Sequence, residues 1–481
     1  MSDTRHSLTR RALLQGSGHL ALGALALDRF ASPARAARSE FEGQRLPELP
    51  HFAPRAQRVI FLTQSGGPSQ VELFDPKPGL VELAGQEVPD SIRGGQRVTG
   101  MTAGKPQLIL PSRASFRPRG ESGIEISDWL PHLAKIADEL CLVRSMTTEP
   151  INHAPAMTSF LTGHQLPGRP SLGSWISYGL ASGNRDLPNY VALLSKMMRG
   201  SDQPLFDHYW GSGFLPSIHQ GVKLRAASEP VLYLQDSPGI SRALRRSQLD
   251  GLAQLNQMRF EVSQDPEVLT RIEQYEMAYR MQASVPELTD LTKEPEEVFE
   301  LYGTDSRRPG TYAANCILAR RMVERGVRFV QLFHPDWDHH SRLTSWCTQR
   351  CRDTDQASAA LVIDLKRRGL LDDTLVVWGG EFGRSVASQG DWQSLEAGRD
   401  HHPLCFSIWL AGAGIKPGTA YGATDDFSFN VAEDPVHVRD LHATILHLLG
   451  IEHERFTYRT RGLDMRLTGV EDARVVHEIL S

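Results

Sequence analysis

Thr374-Leu375-Val376-Val377-Trp378-Gly379-Gly380-Glu381-Phe382-Gly383-Arg384, with Arg399-Asp400-His401-His402-Pro403 further on, is the stretch that decides the fold. Thr374 to Trp378 is a short apolar run rich in β-branched residues, the length of one buried strand. Gly379 and Gly380 end it and permit a positive φ or a close backbone approach. Glu381 follows at once, so a carboxylate stands at the carboxyl end of a strand, where open α/β sheets place their ligands. A second apolar run, Cys405 to Leu410, follows Pro403. A third, Phe329 to Phe333, leads into His334-Pro335-Asp336-Trp337-Asp338-His339-His340. Three strand-like segments thus abut acidic and imidazole side chains, the composition of a metal site built on strand ends.

Working outward, Val59 to Thr63 reads as the first strand and runs into Ser65-Gly66-Gly67-Pro68-Ser69. Leu140 to Val143 and Tyr190 to Leu194 read as further strands. Helical spacing marks 129–140, 307–325, 355–368 with Gly369 as its stop, and 436–449 with Gly450 after it. Strand and helix alternate along the chain, which predicts an α/β fold with a doubly wound, mostly parallel sheet and helices on both faces. Residues 85–125, polar and rich in Gly and Pro, read as loop. The stretch 197–300 differs in character. It holds an aromatic, Gly-rich run with His208, Tyr209, Trp210, Gly211, Gly213 and Phe214, then a helical pattern with Ile272, Tyr275 and Tyr279 on one face. It reads as a helical insertion covering the sheet. Its aromatic run either walls a substrate pocket or packs the insertion onto the core. The resulting organisation is an arm at 37–57, an α/β domain at 58–470 and a C-terminal tail at 471–481.

Residues 1–36 read as an export signal. Thr9-Arg10-Arg11-Ala12-Leu13-Leu14 is a twin-arginine pattern, an Ala/Leu-rich stretch follows, and Ala34-Arg35-Ala36 is a small-x-small cleavage site. This predicts a periplasmic or extracellular protein moved by the twin-arginine machinery. No later stretch approaches the apolar length of a membrane span. With a net charge of -5 and no basic block, nucleic acid is not an expected partner. The five cysteines are scattered and odd in number, which argues against a disulfide framework. Cys347 and Cys351 share a helical spacing and read as buried or free thiols.

Several runs resemble the sulfatase and alkaline phosphatase superfamily. Gly369-Leu370-Leu371-Asp372-Asp373-Thr374, the strand after it and Gly380-Glu381-Phe382-Gly383 match one superfamily segment. Asp440-Leu441-His442-Ala443-Thr444-Ile445-Leu446-His447-Leu448-Leu449-Gly450-Ile451 matches another near the C-terminus. Pro155, Leu161, Thr162 and Gly163 fit the sulfatase nucleophile segment, with His153 at the nucleophile position. More closely, the chain resembles the DUF1501 family, through Ser65 to Ser69, Asn152 to Pro155, Trp337-Asp338-x-His340, Trp378 to Arg384 and Arg399 to Pro403.

The resemblance implies an alkaline phosphatase/sulfatase-like fold and a metal-dependent hydrolase of sulfate or phosphate esters. Its substrate would be an anionic small molecule or polysaccharide ester. The usual hydroxyl or thiol nucleophile is absent, so water activated on the metal would take its place. The alternative is a catalytically inactive binding or scaffolding protein of the cell envelope. Asp338, His340, Glu381 and His402 are the expected metal ligands, with Asp336 and His401 as alternates. Asp338 and His340, two apart after a strand, face one side in extended chain. A zinc-type divalent ion suits this donor set, with calcium, magnesium and manganese also open. His153, Glu381 and Arg384 are the expected catalytic residues, and Arg384 and Arg399 are expected to hold an anionic group. Asp400 is expected to orient one of the histidines. Thr158 and Ser159 are hydroxyls whose offsets do not fit a nucleophile, and His437, His442 and His447 read as ordinary helix histidines.

Overall fold

Three of the apolar runs stand side by side at the centre of one sheet in the computed structural model, which describes residues 46, 48–96, 98–180, 183–196, 204–224, 236 and 239–481. The sheet order is β8 (Thr419–Tyr421), β2 (Cys141–Thr147), β7 (Phe406–Ala411), β6 (Thr374–Gly379), β1 (Arg58–Gln64), β5 (Phe329–His334), β3 (Tyr190–Leu194) and β4 (Val222–Leu224), with β9 (Val436–His437) also paired to β2. β1 lies between β5 and β6, parallel to both, with Val59 opposite Phe329 on one side and Leu375 on the other. Among the described strands of this sheet only β7 runs antiparallel, against β6 and β2. The α/β fold with a mostly parallel sheet is therefore as the sequence predicts.

The period of two along each strand divides the interior into two cores. Ile60, Leu62, Val330, Leu332, Val376 and Trp378 belong to one, which they share with the helices Tyr312–Glu324 and Leu343–Arg367. Val59, Phe61, Phe329, Phe333, Leu375 and Val377 belong to the other, shared with the helices His153–Thr162, Leu172–Gly179 and Val438–Leu448. Central strands buried on both faces read as near-continuous apolar runs, which is why these three were legible. The helices differ from their expected spans mainly in length. The one anticipated at 355–368 begins at Leu343, and Cys347 and Cys351 lie buried within it as free thiols.

Two compact units are distinguished among the described residues. The smaller, Asp236–Glu276, holds the helix Arg242–Ser263, whose Ser241 side chain accepts from Leu244 N, and Arg246 ties this helix to Glu276. Everything else described belongs to the larger unit. Within the stretch expected to lie outside the sheet, Val222–Leu224 pairs with β3 as an edge strand. Val285, Leu288, Val298, Phe299 and Tyr302 enter the first core. A three-residue strand and short buried helical segments leave a periodicity too weak to separate them from an insertion.

The twin-arginine signal lies outside the described residues, as do residues 37–45 and 47 of the expected arm. The remainder of the arm docks: Ala56 N donates to Leu448 O and His51 N to Gly450 O, both at 2.8 Å. The C-terminal tail docks too, with Val476 N donating to Thr444 Oγ1 at 3.0 Å and Lys416 N to Ile479 O at 2.8 Å. No described helix is long and apolar enough to cross a membrane.

Candidate metal centre

Parallel strands deliver their following loops to one edge of the sheet. β1 delivers Ser65-Gly66-Gly67, β5 delivers Asp336 to His340, β6 delivers Gly380-Glu381, and β2 delivers the loop to His153. Because β7 is antiparallel, it starts at this same edge. The hairpin before it, Gly383–Gln389 paired with Gly398–His402, therefore arrives there directly.

Close backbone packing fixes the loops. Gly66 has φ +117°, and a Cβ built on it would meet Asp338 N at 2.6 Å and Trp337 N at 2.8 Å. A Cβ on Gly398 would meet the carbonyl carbon of His340 at 2.1 Å. Gly398 requires glycine for the close approach, and Gly66 for the approach and for its positive φ as well. Trp337 is fully buried and anchors the Asp338 loop through Nε1, 3.0 Å from Gln64 Oε1 and from His334 Nδ1.

His153, Asp338, His340 and His401 converge, each offering one ligand atom, all within 4.8 Å of one another. Asp338 Oδ1 is the hub. It lies 3.0 Å from His340 Nε2, 3.3 Å from His153 Nε2 and 3.4 Å from His401 Nε2. The far nitrogen of each ring is tied back. His153 Nδ1 is 2.6 Å from Glu381 Oε1, His340 Nδ1 is 2.6 Å from Gln389 Oε1, and His401 Nδ1 is 2.8 Å from the Ile151 carbonyl. Carboxylates and carbonyls only accept, so these contacts place the proton of a neutral ring on Nδ1 and leave the Nε2 lone pair facing the hub. His340 Nε2 and His401 Nε2 then stand 3.0 Å apart, two lone pairs face to face beside a carboxylate. His153 Nε2 is sealed from water with no well-formed hydrogen bond. A cation at the focus resolves all three conflicts, and the outer acceptors are those that orient histidine ligands. The donor set fits a divalent metal.

The hub is electrostatically committed. Burial pushes the Asp338 carboxyl up, but the Arg384 guanidinium and the three imidazoles hold it well below the usual carboxylate range. Arg384 Nη2 donates to Asp338 Oδ1 at 2.6 Å. Burial pushes His153 down, yet Asp338 and Glu381 win and hold it above its ordinary value. His401 is lowered to about 4, by burial first and then by the Arg384 and His153 charges. Between these two rings, the electrostatics favour a proton on His153 over His401.

Of the expected residues, Asp338 and His340 are in the cluster, with His153 beside them. Glu381 stands behind them. It is wholly buried, accepts from Gly66 N at 3.0 and 3.1 Å, and reaches the centre only through His153. His402 is a correction. Successive residues of a strand face opposite ways. Here His401, opposite Arg384 in the hairpin, takes the inward position. His402 points away, with Nε2 2.6 Å from the Phe429 carbonyl. Asp336, at φ +73°, lies 3.5 Å from Arg350 and outside the cluster.

The arginines are corrected as well. Arg384 has no exposed surface and is spent on Asp338 and the carbonyls of Gly66, Gly67 and Arg399. Arg399, also unexposed, pairs with the buried Glu72 at 2.6 Å. Neither is placed to grip an anion. Asp400 accepts from Thr99 and Thr102 and from His401 N, so it fixes the backbone of His401 rather than a ring. Thr158 is spent on the Ala154 carbonyl at 2.6 Å, and His442 on the Phe160 carbonyl at 2.9 Å. Phe382 packs on the rings of His153 and His401 at 4.8 and 4.7 Å. Gln389 and the Ile151 carbonyl carried no sequence signal, since amide and backbone acceptors are ubiquitous.

A family model described as "Protein of unknown function (DUF1501)" matches residues 56–480. The chain belongs to the DUF1501 family. No curated protein matches it. Solved structures that match include a phosphonate monoester hydrolase from Silicibacter pomeroyi, 12% identical over 88% of this chain and 76% of that one, with a TM-score of 0.35. The lipoteichoic acid synthase of Listeria monocytogenes is 10% identical over 89% and 78%, with a TM-score of 0.36. The alkaline phosphatase of the Antarctic bacterium TAB5 is 10% identical over 83% and 99%, with a TM-score of 0.32.

Proposed function

We propose that this DUF1501 chain is an exported, metal-dependent hydrolase of sulfate or phosphate esters. The observation that carries the reading is the convergence of three imidazole Nε2 atoms on one carboxylate oxygen at the ligand-binding edge of an α/β sheet. The centre is not sealed. The His340 and Asp338 side chains keep 22% and 20% of their surface exposed, while Glu381 behind them keeps none. Structural metal sites are closed, whereas catalytic ones keep access for water and substrate. The nitrogen-rich donor set favours zinc or a similar transition ion over calcium or magnesium.

Such an ion, when bound, supplies Lewis acidity that lowers the pKa of water and polarises an ester oxygen. The chain's own residues do the rest. Glu381 and Gln389 orient His153 and His340, Arg384 holds Asp338 ionised, and Phe382 walls off two of the rings. With Arg384 and Arg399 engaged elsewhere, the ion is the principal positive charge proposed to meet an anionic ester.

None of the four clustered residues carries a hydroxyl or thiol, which favours direct hydrolysis over a covalent intermediate. The same observation favours the second reading, a metal-stabilised binding or scaffolding protein of the envelope. A screen of sulfate and phosphate esters with the zinc-, manganese- or magnesium-loaded protein separates the two. Turnover that disappears on chelation supports the hydrolase, and inertness across both ester classes with metal bound supports the binding protein.

A further inference from the structure

Buried tyrosines in this fold find partners for their hydroxyls, as buried phenols usually do. Tyr190 donates to Gln331, Tyr302 to Asp364 at 3.1 Å, and Tyr312 shares a 2.9 Å bond with Ser358. Tyr209 has only 2% of its surface exposed, and its hydroxyl, which makes no hydrogen bond to the described residues, is not sealed from solvent.

Its position is built. The turn Asp207–Trp210 lies against the helix that begins with His153, and His208 Nε2 is 3.2 Å from Thr158 Oγ1 on that helix. Trp210 packs on Phe333, the penultimate residue of β5, at 5.5 Å, and Lys223 covers its ring. Gly221 N donates to Trp210 O at 2.8 Å, and Ser171 N to Gly211 O at 3.1 Å. Phe206 and His208 contact the Tyr209 ring at 5.7 and 4.6 Å. The segment is thus held rigidly over the edge from which Asp338 and His340 emerge.

We infer that Tyr209 is a ligand-binding residue of the centre, its hydroxyl donating to an oxygen of a tetrahedral oxyanion such as phosphate or sulfate. The inference rests on the metal-centre reading. The phenol lies within electrostatic reach of Glu381, the carboxylate that holds His153, and burial together with that charge keeps its proton on. A neutral phenol suits the task here, because it donates without adding a charge beside Glu381. A hydroxyl that reaches solvent from an otherwise buried ring, with no described protein partner, is free to donate to such an oxyanion. The aromatic run 206–214 then serves as a wall of the ligand site.

The test compares the full chain with its Tyr209→Phe variant, which keeps the ring and its packing. Both are loaded with zinc, their metal content is measured, and inorganic phosphate is titrated by calorimetry. Loss of one hydrogen bond to a charged oxygen predicts equal zinc content, an unchanged melting temperature and roughly tenfold weaker phosphate binding in the variant. Equal phosphate affinity in the two zinc-loaded proteins, or none in either, overturns the role of Tyr209 and leaves the metal centre standing. A wild-type protein that takes up no zinc overturns the centre itself, and the role of Tyr209 falls with it.

Discussion

The Nδ1 of His153 lies 2.6 Å from the Oε1 of Glu381, which has no exposed surface and is held in turn by the backbone N–H of Gly66. A carboxylate placed this way fixes the ring and raises the basicity of its other nitrogen. Glu381→Ala is expected to weaken metal binding roughly tenfold to a hundredfold, and Glu381→Gln, which keeps an acceptor, by less. Competition with a chromophoric chelator measures both. Equal affinity in the alanine variant would show that Glu381 does not support the centre.

The hairpin decides which of two adjacent histidines faces the cluster. His401→Ala should lower metal content, while His402→Ala should leave it unchanged, because His402 faces the Phe429 carbonyl. Elemental analysis of the two variants gives the answer, and the opposite pattern would refute the register of the hairpin.

Acid should empty the site. Metal requires neutral imidazoles, and His153 is held above its ordinary value by Asp338 and Glu381 against the opposing pull of burial. As pH falls through that raised pKa, a proton replaces the ion, so affinity should drop about tenfold per pH unit for each proton taken up. The decline should begin above 6.5, the ordinary histidine value. Zinc affinity that stays flat from pH 8 to pH 6 would count against protonation at His153.

Arg384 is the structural cost of the hub. Removing it takes the guanidinium from Asp338 and frees four backbone carbonyls, so Arg384→Ala is expected to destabilise by about 3–5 kcal/mol. Denaturant unfolding of the metal-free protein measures this. A loss below about 1 kcal/mol, the size of a surface pair, would mean that the pair is not buried as described.

Much of this was legible because the central strands are continuous apolar runs ended by glycine or by polar clusters, Thr374 to Gly380 above all. The spacing of Asp338 and His340 after such a strand set both on one side, and both lie in the cluster. Other features depended on tertiary register. Arg384 and Arg399 look like anion clamps in one dimension, but their partners Asp338 and Glu72 stand 46 and 327 residues away. His401 and His402 cannot be told apart without knowing that the hairpin sets His401 opposite Arg384. The direction of β7 was not written in its composition either. Its antiparallel run brings the preceding hairpin straight to the site, with no need for a loop to fold back.

Export is tested separately from chemistry. Replacing Arg10 and Arg11 with lysine keeps the charge but removes the guanidinium pair, and should block export. Fractionation of cells producing the two forms measures it, and undiminished export of the double-lysine variant would remove the twin-arginine assignment.

The central claim is that His153, Asp338, His340 and His401 hold a divalent metal. Elemental analysis of the purified full chain, beside His340→Ala and the remote control His442→Ala, tests it most directly. The account predicts about one equivalent of a transition metal in the wild type and in the His442 variant, and little in the His340 variant. A wild-type protein that purifies without metal, and takes up neither zinc nor manganese on dialysis, would contradict it.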